Sequence, residues 1–405
     1  MKVLIIIGDC IQVNSSANLC HLAYIRGLVE AGYELSLLSA DGDGYAKDEA
    51  MMIPPSVKRY SYPGIGLYER LSIIKKKISA SPESASSGSQ ELNADNQMRF
   101  LSKMKDWLRS LYGAHEIYAV FRRKARRFRS PETYDFLISI SSPASSHALA
   151  LDLISSGHVK CKNWIQIWED PWYSDLYLKK RRAVFAEERR LLSAAEHICY
   201  VSPITLEYQK RLFPEASHKM FWQPLPAYYT MEKPTQKSSD NYHFGYFGDY
   251  SPKIRNLRPF YEAACKTGIP VSVCGDPSSL FQPTDHITIF PRLPLNKLHP
   301  IEETTDVLVY LCNREGGQIP GKIYQYAATN KTVLFILDGT EEEKRILREF
   351  FEPYHRFVFC ENDIEGIEAA VEQIQKGELG DVVNRSLTDF EPVKIINRIL
   401  EEGMK

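Results

Sequence analysis

Residues 306–337 read DVLVYLCNREGGQIPGKIYQYAATNKTVLFIL and contain a complete strand–loop–helix–strand unit. The apolar run 306–311 predicts a buried strand, and the Gly-Gly and Pro-Gly pairs after it are typical of a loop. Pro320 is a favoured residue in the first turn of a helix, so we predict a helix over 320–329. The apolar run 333–337 is the next strand. Two strands joined by a helix are expected to lie parallel in one sheet.

The same alternation of strands and helices continues on both sides of this unit. In the second half of the chain we predict strands near 242–248, 270–274, 286–290, 306–311, 332–337 and 356–360. In the first half we predict strands at 3–7, 34–39, 134–139, 164–168 and 197–201. The alternation occurs twice, so we predict an α/β protein with two doubly wound, Rossmann-like domains that face each other across a cleft.

The boundary between the two halves is predicted in the proline-rich, polar segment 221–240. We therefore expect an N-terminal domain over 1–225, which carries a basic helical insertion over 64–130. A C-terminal domain is expected over 226–385, followed by a helix over 386–405. A length of 405 residues suits two domains.

Composition narrows the class of protein. A chain with 44% apolar and 25% charged residues is typical of a soluble globular protein. The opening run 3–7 is too short for a secretion signal, and eight scattered cysteines without a CxxC pair favour free thiols in a reducing compartment, so we expect a cytoplasmic protein. The histidines lack metal-ligand spacing and Asp41-Gly42-Asp43 is interpreted as a turn, so no metal is predicted.

One strongly basic stretch interrupts the first half. Residues 99–129 contain ten basic and two acidic residues, interleaved with aromatic and aliphatic side chains. This pattern predicts a basic amphipathic helical region suited to an anionic membrane surface or a lipid-linked acceptor; a solvated helix face is the alternative. A helix over 66–78 and a disordered loop over 79–95 precede it. No nucleic-acid-binding module accompanies the charge.

Two loops of the second half carry residues suited to a diphosphate. Gly248 follows a strand and allows a backbone to approach a ligand, and Arg255 or Lys253 at the head of the next helix would add the positive charge that a diphosphate needs. Lys322 lies in the first turn after the Gly-rich loop, with Gln325 one turn further on. The alternatives are an ordinary strand-to-helix turn with a surface arginine, and a solvated helix lysine.

The order of these motifs resembles GT-B glycosyltransferases related to glycosyltransferase family 4, above all those of bacterial capsule, O-antigen and exopolysaccharide synthesis. The resemblance rests on the Pro-x-Lys-x-Tyr-x-Tyr-x-Ala helix at 320–328 and on Gly245–Asp249 with Arg255. In the first half it rests on three further segments, which are Ser141-Ser142-Pro143, Trp168–Trp172 and Tyr200–Pro203. It covers the chain except about 64–130.

The resemblance implies specific roles in donor binding. Arg255 and Lys322 would hold the donor diphosphate. Gln325 takes the place of a family carboxylate that binds the nucleotide ribose, and as a neutral group it is a weaker acceptor. A second family glutamate falls on Gly317, and Glu315 would replace it only if the loop is rearranged.

In the first half, the loop from Gly8 to Ser16 would face the donor phosphates and the acceptor, with Asn14 and Ser15 as its polar groups. His147 lies near a predicted helix start, where it could hydrogen-bond the reacting sugar; a helix-face histidine is the alternative. Asp170 follows a strand and could orient the acceptor or act as a base; a turn aspartate is the alternative.

Together these features predict a hexosyltransferase-type glycosyltransferase. Its expected partners are a nucleoside-diphosphate sugar and a saccharide or lipid-linked saccharide. The expected reaction retains the anomeric configuration, needs no cofactor and serves bacterial surface polysaccharide or glycan synthesis. Peripheral contact with the inner membrane face is expected. A sugar-nucleotide epimerase of similar architecture and a non-catalytic sugar- or nucleotide-binding protein are the alternatives. A dehydrogenase is disfavoured, because GxGxxG is missing after the first strand.

Overall fold

Two parallel sheets organise the chain in a computed structural model that describes residues 1–65, 113–176, 178, 180–228, 242–275 and 280–405. Four of the sequence predictions lie outside the described residues: the helix at 66–78, the loop at 79–95, the basic residues 99–112 and the linker residues 229–240.

The first sheet has seven parallel strands in the described part of the chain, in the order β3-β2-β1-β4-β5-β6-β7. Its strands are β1 Lys2–Ile7, β2 Glu34–Ala40, β3 Lys58–Tyr62, β4 Thr133–Ser141, β5 Lys160–Trp168, β6 His197–Tyr200 and β7 Met220–Trp222. Its helices are α1 Ser16–Glu30, α2 Ala119–Ala125, α3 Ser145–Ser155, α4 Arg182–Ala194 and α5 Pro203–Leu212. We call this sheet with its helices the N-terminal lobe.

The second sheet has the order β10-β9-β8-β11-β12-β13, and its strands are also parallel. The strands are β8 Phe244–Phe247, β9 Val271–Cys274, β10 Ile287–Phe290, β11 Val307–Leu311, β12 Thr332–Leu337 and β13 Phe357–Glu361. The helices are α6 Arg258–Thr267, α7 Leu295–Thr304, α8 Lys322–Ala327, α9 Glu341–Phe351 and α10 Ile364–Lys376. This sheet and its helices form the C-terminal lobe.

Burial explains why these strands form. Every residue from Val3 to Ile7 is fully buried, as are those from Val333 to Leu337, and such two-sided burial is typical of parallel sheets covered by helices. In both sheets the strand order reverses beside the first strand, at β1/β4 and at β8/β11. Ligands of doubly wound sheets bind at such reversal points, beyond the carboxyl ends of the strands. The predicted fold class is confirmed.

The last helix, α11 Pro392–Glu402, returns to the N-terminal lobe and packs on α1. The two helices approach closely, because a Cβ atom on Gly27 would lie 2.5 Å from the carbonyl oxygen of Pro392. The segment before α11 is also tied to the crossover between the sheets, since Ala227 N–H donates to Phe390 O at 2.8 Å. The two lobes are therefore joined by two chain segments. In the described residues no helix is long and apolar enough to cross a membrane.

Candidate functional site

Two cations of the C-terminal lobe lie against the carboxyl end of β8. The Arg255 guanidinium donates to the carbonyl oxygen of Asp249 at 3.3 Å and to Asn313 Oδ1 at 2.9 Å. The Lys322 ammonium lies 5.7 Å from the centre of the Phe247 ring. Sequence analysis placed both cations at one ligand. The structure brings both to the segment that follows β8, at the reversal point of the sheet.

Lys322 has a partner that the sequence did not indicate. Its Nζ donates to Glu302 Oε1 at 2.9 Å, and the Glu302 side chain on α7 is fully buried, whereas about a third (35%) of the Lys322 side chain is exposed. Removing one member of a buried pair leaves an uncompensated charge and is strongly destabilising. Loss of activity on replacement of Lys322 alone would therefore combine effects on folding and on ligand binding.

Gly248 lies beside Arg255, since a Cβ atom at this position would lie 3.7 Å from the Arg255 Nη1 atom. Gln325 is only 7% exposed, and its Oε1 accepts the backbone N–H of Tyr228 at 2.6 Å. The structure therefore uses Gln325 to hold the crossover segment between the lobes. This placement does not support the predicted contact of Gln325 with a ribose.

The Gly-rich loop of the C-terminal lobe packs directly on the N-terminal lobe. The Gly317 carbonyl accepts the hydroxyls of Ser202 at 2.6 Å and Thr205 at 3.2 Å. A Cβ atom on Gly317 would lie 2.5 Å from Ile204, and its φ of +71° also favours glycine. No side chain fits here in this arrangement, so this position has no room for a carboxylate. Glu315 is exposed at the loop surface.

We expect Gly317→Ala to destabilise the chain by about 2–4 kcal/mol, because it adds a backbone strain and a steric clash with Ile204. The measurement is urea unfolding. Gly157→Ala is a matched control, since Gly157 has a similar φ of +68° but nothing within 4 Å of an added Cβ. The control should lose only about 1 kcal/mol. Equal losses in the two variants would show that the contact between the lobes contributes nothing.

Asp170 faces the Gly-rich loop from the N-terminal lobe. Gln318 Nε2 donates to Asp170 Oδ1 at 2.5 Å and lies 3.4 Å from Asp175 Oδ2. Asp170 is accessible to solvent, but the surrounding protein partly desolvates the carboxylate and raises its pKa, against the effects of Gln318 and of Arg255. The structure thus brings Asp170 within electrostatic reach of Arg255 on the opposite lobe.

The prediction for His147 needs correction. This side chain is fully buried, its Nδ1 lies 2.7 Å from Ser139 Oγ, and its ring centroid lies 4.2 Å from that of Trp168. Burial, followed by the proximity of His115, holds the His147 pKa well below its ordinary value. Its contacts are those of a neutral core histidine, so a contact with a reacting sugar is not supported.

The predicted phosphate loop is engaged in local structure. Gly8 N–H donates to Ser146 Oγ at 2.8 Å, where α3 approaches the end of β1. The Ser15 hydroxyl caps the N-terminus of α1, and Asn14 Nδ2 donates to Asp48 Oδ2 at 2.9 Å. The contacts of Asn14 and Ser15 explain the types of these residues and use polar groups that were assigned to a ligand, and Gly8 is explained by a Cβ atom that would lie 2.6 Å from Ser145 Oγ.

A buried group of titratable residues beyond β1 and β5 was missed. His21 Nε2 lies 3.3 Å from Glu169 Oε2, and its Nδ1 lies 3.1 Å from Asn18 Oδ1. Burial raises the pKa of Glu169, and likewise that of Asp9, with His21 opposing both shifts. Glu169 precedes Asp170 at a strand end, which is a usable sequence signal. His21 lies among the apolar residues of α1, so the sequence gave no signal that it belongs to this group.

Glu188 on α4 holds the loop that carries Asp170. This nearly fully buried carboxylate accepts the backbone N–H groups of Tyr173 at 2.6 Å and Trp172 at 3.4 Å. Burial raises the Glu188 pKa from an ordinary value of 4.5 to about 7. The loop that faces the C-terminal lobe therefore rests on a carboxyl group that titrates near neutral pH.

We expect Glu188→Gln to flatten the pH dependence of stability. Because the folded chain retains this proton more strongly than the unfolded chain, the contribution of Glu188 is greatest below about pH 4.5 and is lost as the pH rises through about 7. The loss is about 2–3 kcal/mol. Urea unfolding at pH 5 and pH 8 measures it, with exposed Glu207→Gln as the control. An unchanged slope in Glu188→Gln would contradict this assignment.

No protein-family model matches the sequence, and no curated protein matches it either. Solved structures are similar over 100% of the chain. Sucrose-phosphate synthase from Thermosynechococcus elongatus has a TM-score of 0.53 and 12% identity, with 94% of its chain covered. HepE from Anabaena, in complex with UDP and glucose, has a TM-score of 0.50 and 11% identity, with 97% of its chain covered. WaaB, a lipopolysaccharide outer core galactosyltransferase, has a TM-score of 0.50 and 10% identity, with 99% of its chain covered.

At 10–12% identity these similarities concern the fold. The structure itself contains two parallel sheets, each with one reversal of strand order, and the Gly317 carbonyl of one lobe bonds the other lobe. The chain therefore has the GT-B fold of two Rossmann-like domains.

Proposed function

We propose that this protein is a glycosyltransferase that moves a sugar from a nucleoside-diphosphate sugar to an acceptor hydroxyl. The observation that carries the proposal is the placement of Arg255 and Lys322 at the end of β8, with Asp170 of the other lobe within electrostatic reach of Arg255. A diphosphate needs cationic donors, and such a reaction needs a second substrate on the facing lobe.

The proposed chemistry places negative charge on the departing diphosphate as the glycosidic bond breaks. Arg255 is suited to this charge, since a guanidinium presents several N–H donors in a fixed geometry. Asp170 would orient the acceptor hydroxyl or accept its proton, and burial raises the pKa of Asp170, which makes this carboxylate a stronger base. The nucleotide sugar enters as a substrate, and we propose no further cofactor.

Nucleotide binding tests the proposal first. Thermal-shift measurements with UDP, GDP, dTDP and CMP should identify one nucleotide that stabilises the chain, because a ligand that binds the folded state raises its unfolding temperature. The sugar nucleotides of that base are then incubated with saccharide acceptors. Transfer is the expected result. Conversion of the donor alone into its epimer would indicate an epimerase instead, and the absence of any binding would overturn the proposal.

A more specific proposal concerns the stereochemistry of the transfer and the biological role of the product. We propose retention of the anomeric configuration and a role in bacterial surface polysaccharide or glycan synthesis, both supported by the resemblance of the motifs to glycosyltransferase family 4. The anomeric proton of the first product, observed by NMR before mutarotation, distinguishes retention from inversion.

We further propose that the acceptor is a lipid-linked saccharide at the inner membrane face. The supporting feature is a basic cluster at the end of α2, formed by the exposed residues Arg123, Lys124, Arg127 and Arg129. The neighbouring Arg122 and Arg126 are instead both bonded to Asp152. Each exposed cation near an anionic surface contributes about 1 kcal/mol to membrane binding.

We expect the chain to sediment with vesicles that contain phosphatidylglycerol and to be released by salt, because the attraction is electrostatic. Replacing the four cluster residues by Gln should abolish this binding. The exposed Lys266 and Lys376, replaced by Gln, provide a control on the C-terminal lobe. Binding that depends on neither anionic lipid nor salt would defeat the membrane proposal and leave the transferase proposal untouched.

A further inference from the structure

Glu302 is a carboxylate whose position is fixed from two sides. Its side chain is fully buried near the end of α7. Its backbone is fixed by Lys331, whose Nζ donates to the carbonyl oxygens of Glu302 at 2.9 Å and Glu303 at 2.7 Å. Because Lys331 anchors the end of this helix, the Glu302 carboxylate is held in place next to the cation that it pairs.

That cation is Lys322. The 2.9 Å bond to Glu302 holds the ammonium between the rings of Phe247 and Tyr326, whose centres lie 5.7 and 5.8 Å away. A fully buried carboxylate is weakly screened by water, so it cancels much of the Lys322 charge felt in the cleft.

Arg255 differs in this respect. Its hydrogen bonds to Asn313 and to the Asp249 carbonyl use neutral acceptors, and the acidic group that it influences, Asp170, lies on the opposite lobe. The two cations at the end of β8 therefore have different charge environments. Arg255 donates to neutral acceptors of its own lobe and acts on Asp170 of the opposite lobe, whereas Lys322 donates to a carboxylate that is covered by protein.

We propose that Glu302 is a built-in counter-ion of Lys322 that limits the affinity of the site for a diphosphate, so that the leaving nucleoside diphosphate is released after transfer. This inference rests on the proposed function. A phosphate oxygen hydrogen-bonded to Lys322 would lie about 4.5–5 Å from the Glu302 carboxylate oxygen, since each bond to the tetrahedral ammonium spans about 2.8 Å. At this distance the repulsion between phosphate and carboxylate offsets much of the attraction to the ammonium.

Glu302→Gln tests the charge alone. The amide keeps the shape of the side chain, and its oxygen still accepts a hydrogen bond from Lys322. We expect the variant to bind UDP and inorganic pyrophosphate about tenfold more tightly in calorimetric titrations, because one negative charge near the site is lost. If another nucleotide gives the larger thermal shift, its diphosphate replaces UDP. Product inhibition by the same diphosphate should strengthen by the same factor.

Glu303→Gln is the matched control. It removes the same charge from the next position of α7, but Glu303 is exposed and screened by solvent, so binding should stay within about twofold of the wild type. Unchanged or weaker binding in Glu302→Gln would overturn the counter-ion proposal, even if the variant is less stable. If the wild type binds none of these ligands, the proposed function fails instead.

A second variant pair covers the case in which Glu302→Gln folds poorly. Lys322→Met should lose most diphosphate binding, because the ammonium is removed while the Glu302 carboxylate still repels the ligand. Adding Glu302→Gln to Lys322→Met should restore binding at least tenfold, which is a coupling that a double-mutant cycle measures directly. No restoration would overturn the proposal.

Discussion

Arg255→Ala should lower the rate of sugar transfer by about 10²–10³-fold, the range observed when one preorganised donor to a developing negative charge is removed. The reason lies in the position of the guanidinium, at the reversal point of the second sheet and across from Asp170. The donor diphosphate gains charge there as the sugar departs. Steady-state kinetics with the sugar nucleotide identified by thermal shift measures the effect.

The fold should tolerate this substitution. The Arg255 side chain is half-buried, and its hydrogen bonds to Asn313 and to the Asp249 carbonyl use neutral acceptors. This distinguishes Arg255 from Lys322, whose loss exposes the Glu302 charge. Arg255→Ala should therefore unfold within about 1 kcal/mol of the wild type while it loses transfer.

Lys253→Ala is the matched control for Arg255→Ala. Lys253 carries the same charge two residues earlier, but its side chain is exposed. Transfer by this variant should stay within about twofold of the wild type, since surface charges are screened by salt. An Arg255→Ala variant that keeps a third or more of the wild-type rate would remove the proposed phosphate contact, and with it the main support for the transferase assignment.

The strands and helices were predictable because burial leaves a local signature. Apolar runs such as 333–337 are fully buried on both faces, and no other local pattern competes with a strand there. Two strands were missed because they lack such a buried apolar run. β3, Lys58–Tyr62, is an edge strand with polar exposed residues, and β7 has only three residues, two of which lie inside the segment that was interpreted as the domain boundary.

The site was predictable only where strand ends determine it. The position of Asp170 follows from the sequence, because the carboxyl ends of parallel strands share one edge of the sheet. Its bond from Gln318 of the other lobe agrees with that position, and its role with the acceptor stays a prediction. His147 shows the limit of this reasoning. One residue earlier, Ser146 contacts Gly8, but a helix turns by about 100° per residue, so His147 points into the core toward Trp168.

Long-range partners were beyond the reach of the sequence. Nothing near Lys322 indicates that Glu302, twenty residues earlier, would be its buried partner. Similarly, Gln325 matched a family position by spacing, yet its partner is the backbone of Tyr228, 97 residues away in the chain. Such pairings are decided by tertiary packing.

Arg356→Met should give the largest loss of stability, about 3–5 kcal/mol, because it leaves several buried carbonyl groups without a donor. The Arg356 guanidinium is fully buried and donates to the carbonyl oxygens of Arg385 at 2.7 Å and Thr329 at 2.8 Å, and also to that of Lys331. Burial lowers the Arg356 pKa to about 10, so the group remains charged at neutral pH. Urea unfolding measures the effect.

These bonds connect three segments that determine how the lobes are joined. Arg356 precedes β13, Thr329 follows α8, and the Arg385 carbonyl belongs to the segment that leads to α11. That segment continues through the bond from Leu387 N–H to the Ala327 carbonyl at 2.9 Å and ends in the helix that packs on α1. Loss of Arg356 should therefore weaken the contact between the lobes as well as the C-terminal sheet.

Arg385→Met is the control for Arg356→Met. It distinguishes the loss of the buried Arg356 guanidinium from a general loss of positive charge. Its own side chain is exposed, and its carbonyl remains available to Arg356, so we expect a change within about 0.5 kcal/mol. If Arg356→Met is equally mild, the buried carbonyls must find water or other donors, and the link between β13 and α11 is not needed for stability. If only the C-terminal lobe unfolds early in Arg356→Met, while tryptophan fluorescence reports an intact N-terminal lobe, the lobes fold independently and α11 is a weak connection. A single cooperative transition at lower urea is the outcome that the present contacts predict, because the same return segment contacts both sheets.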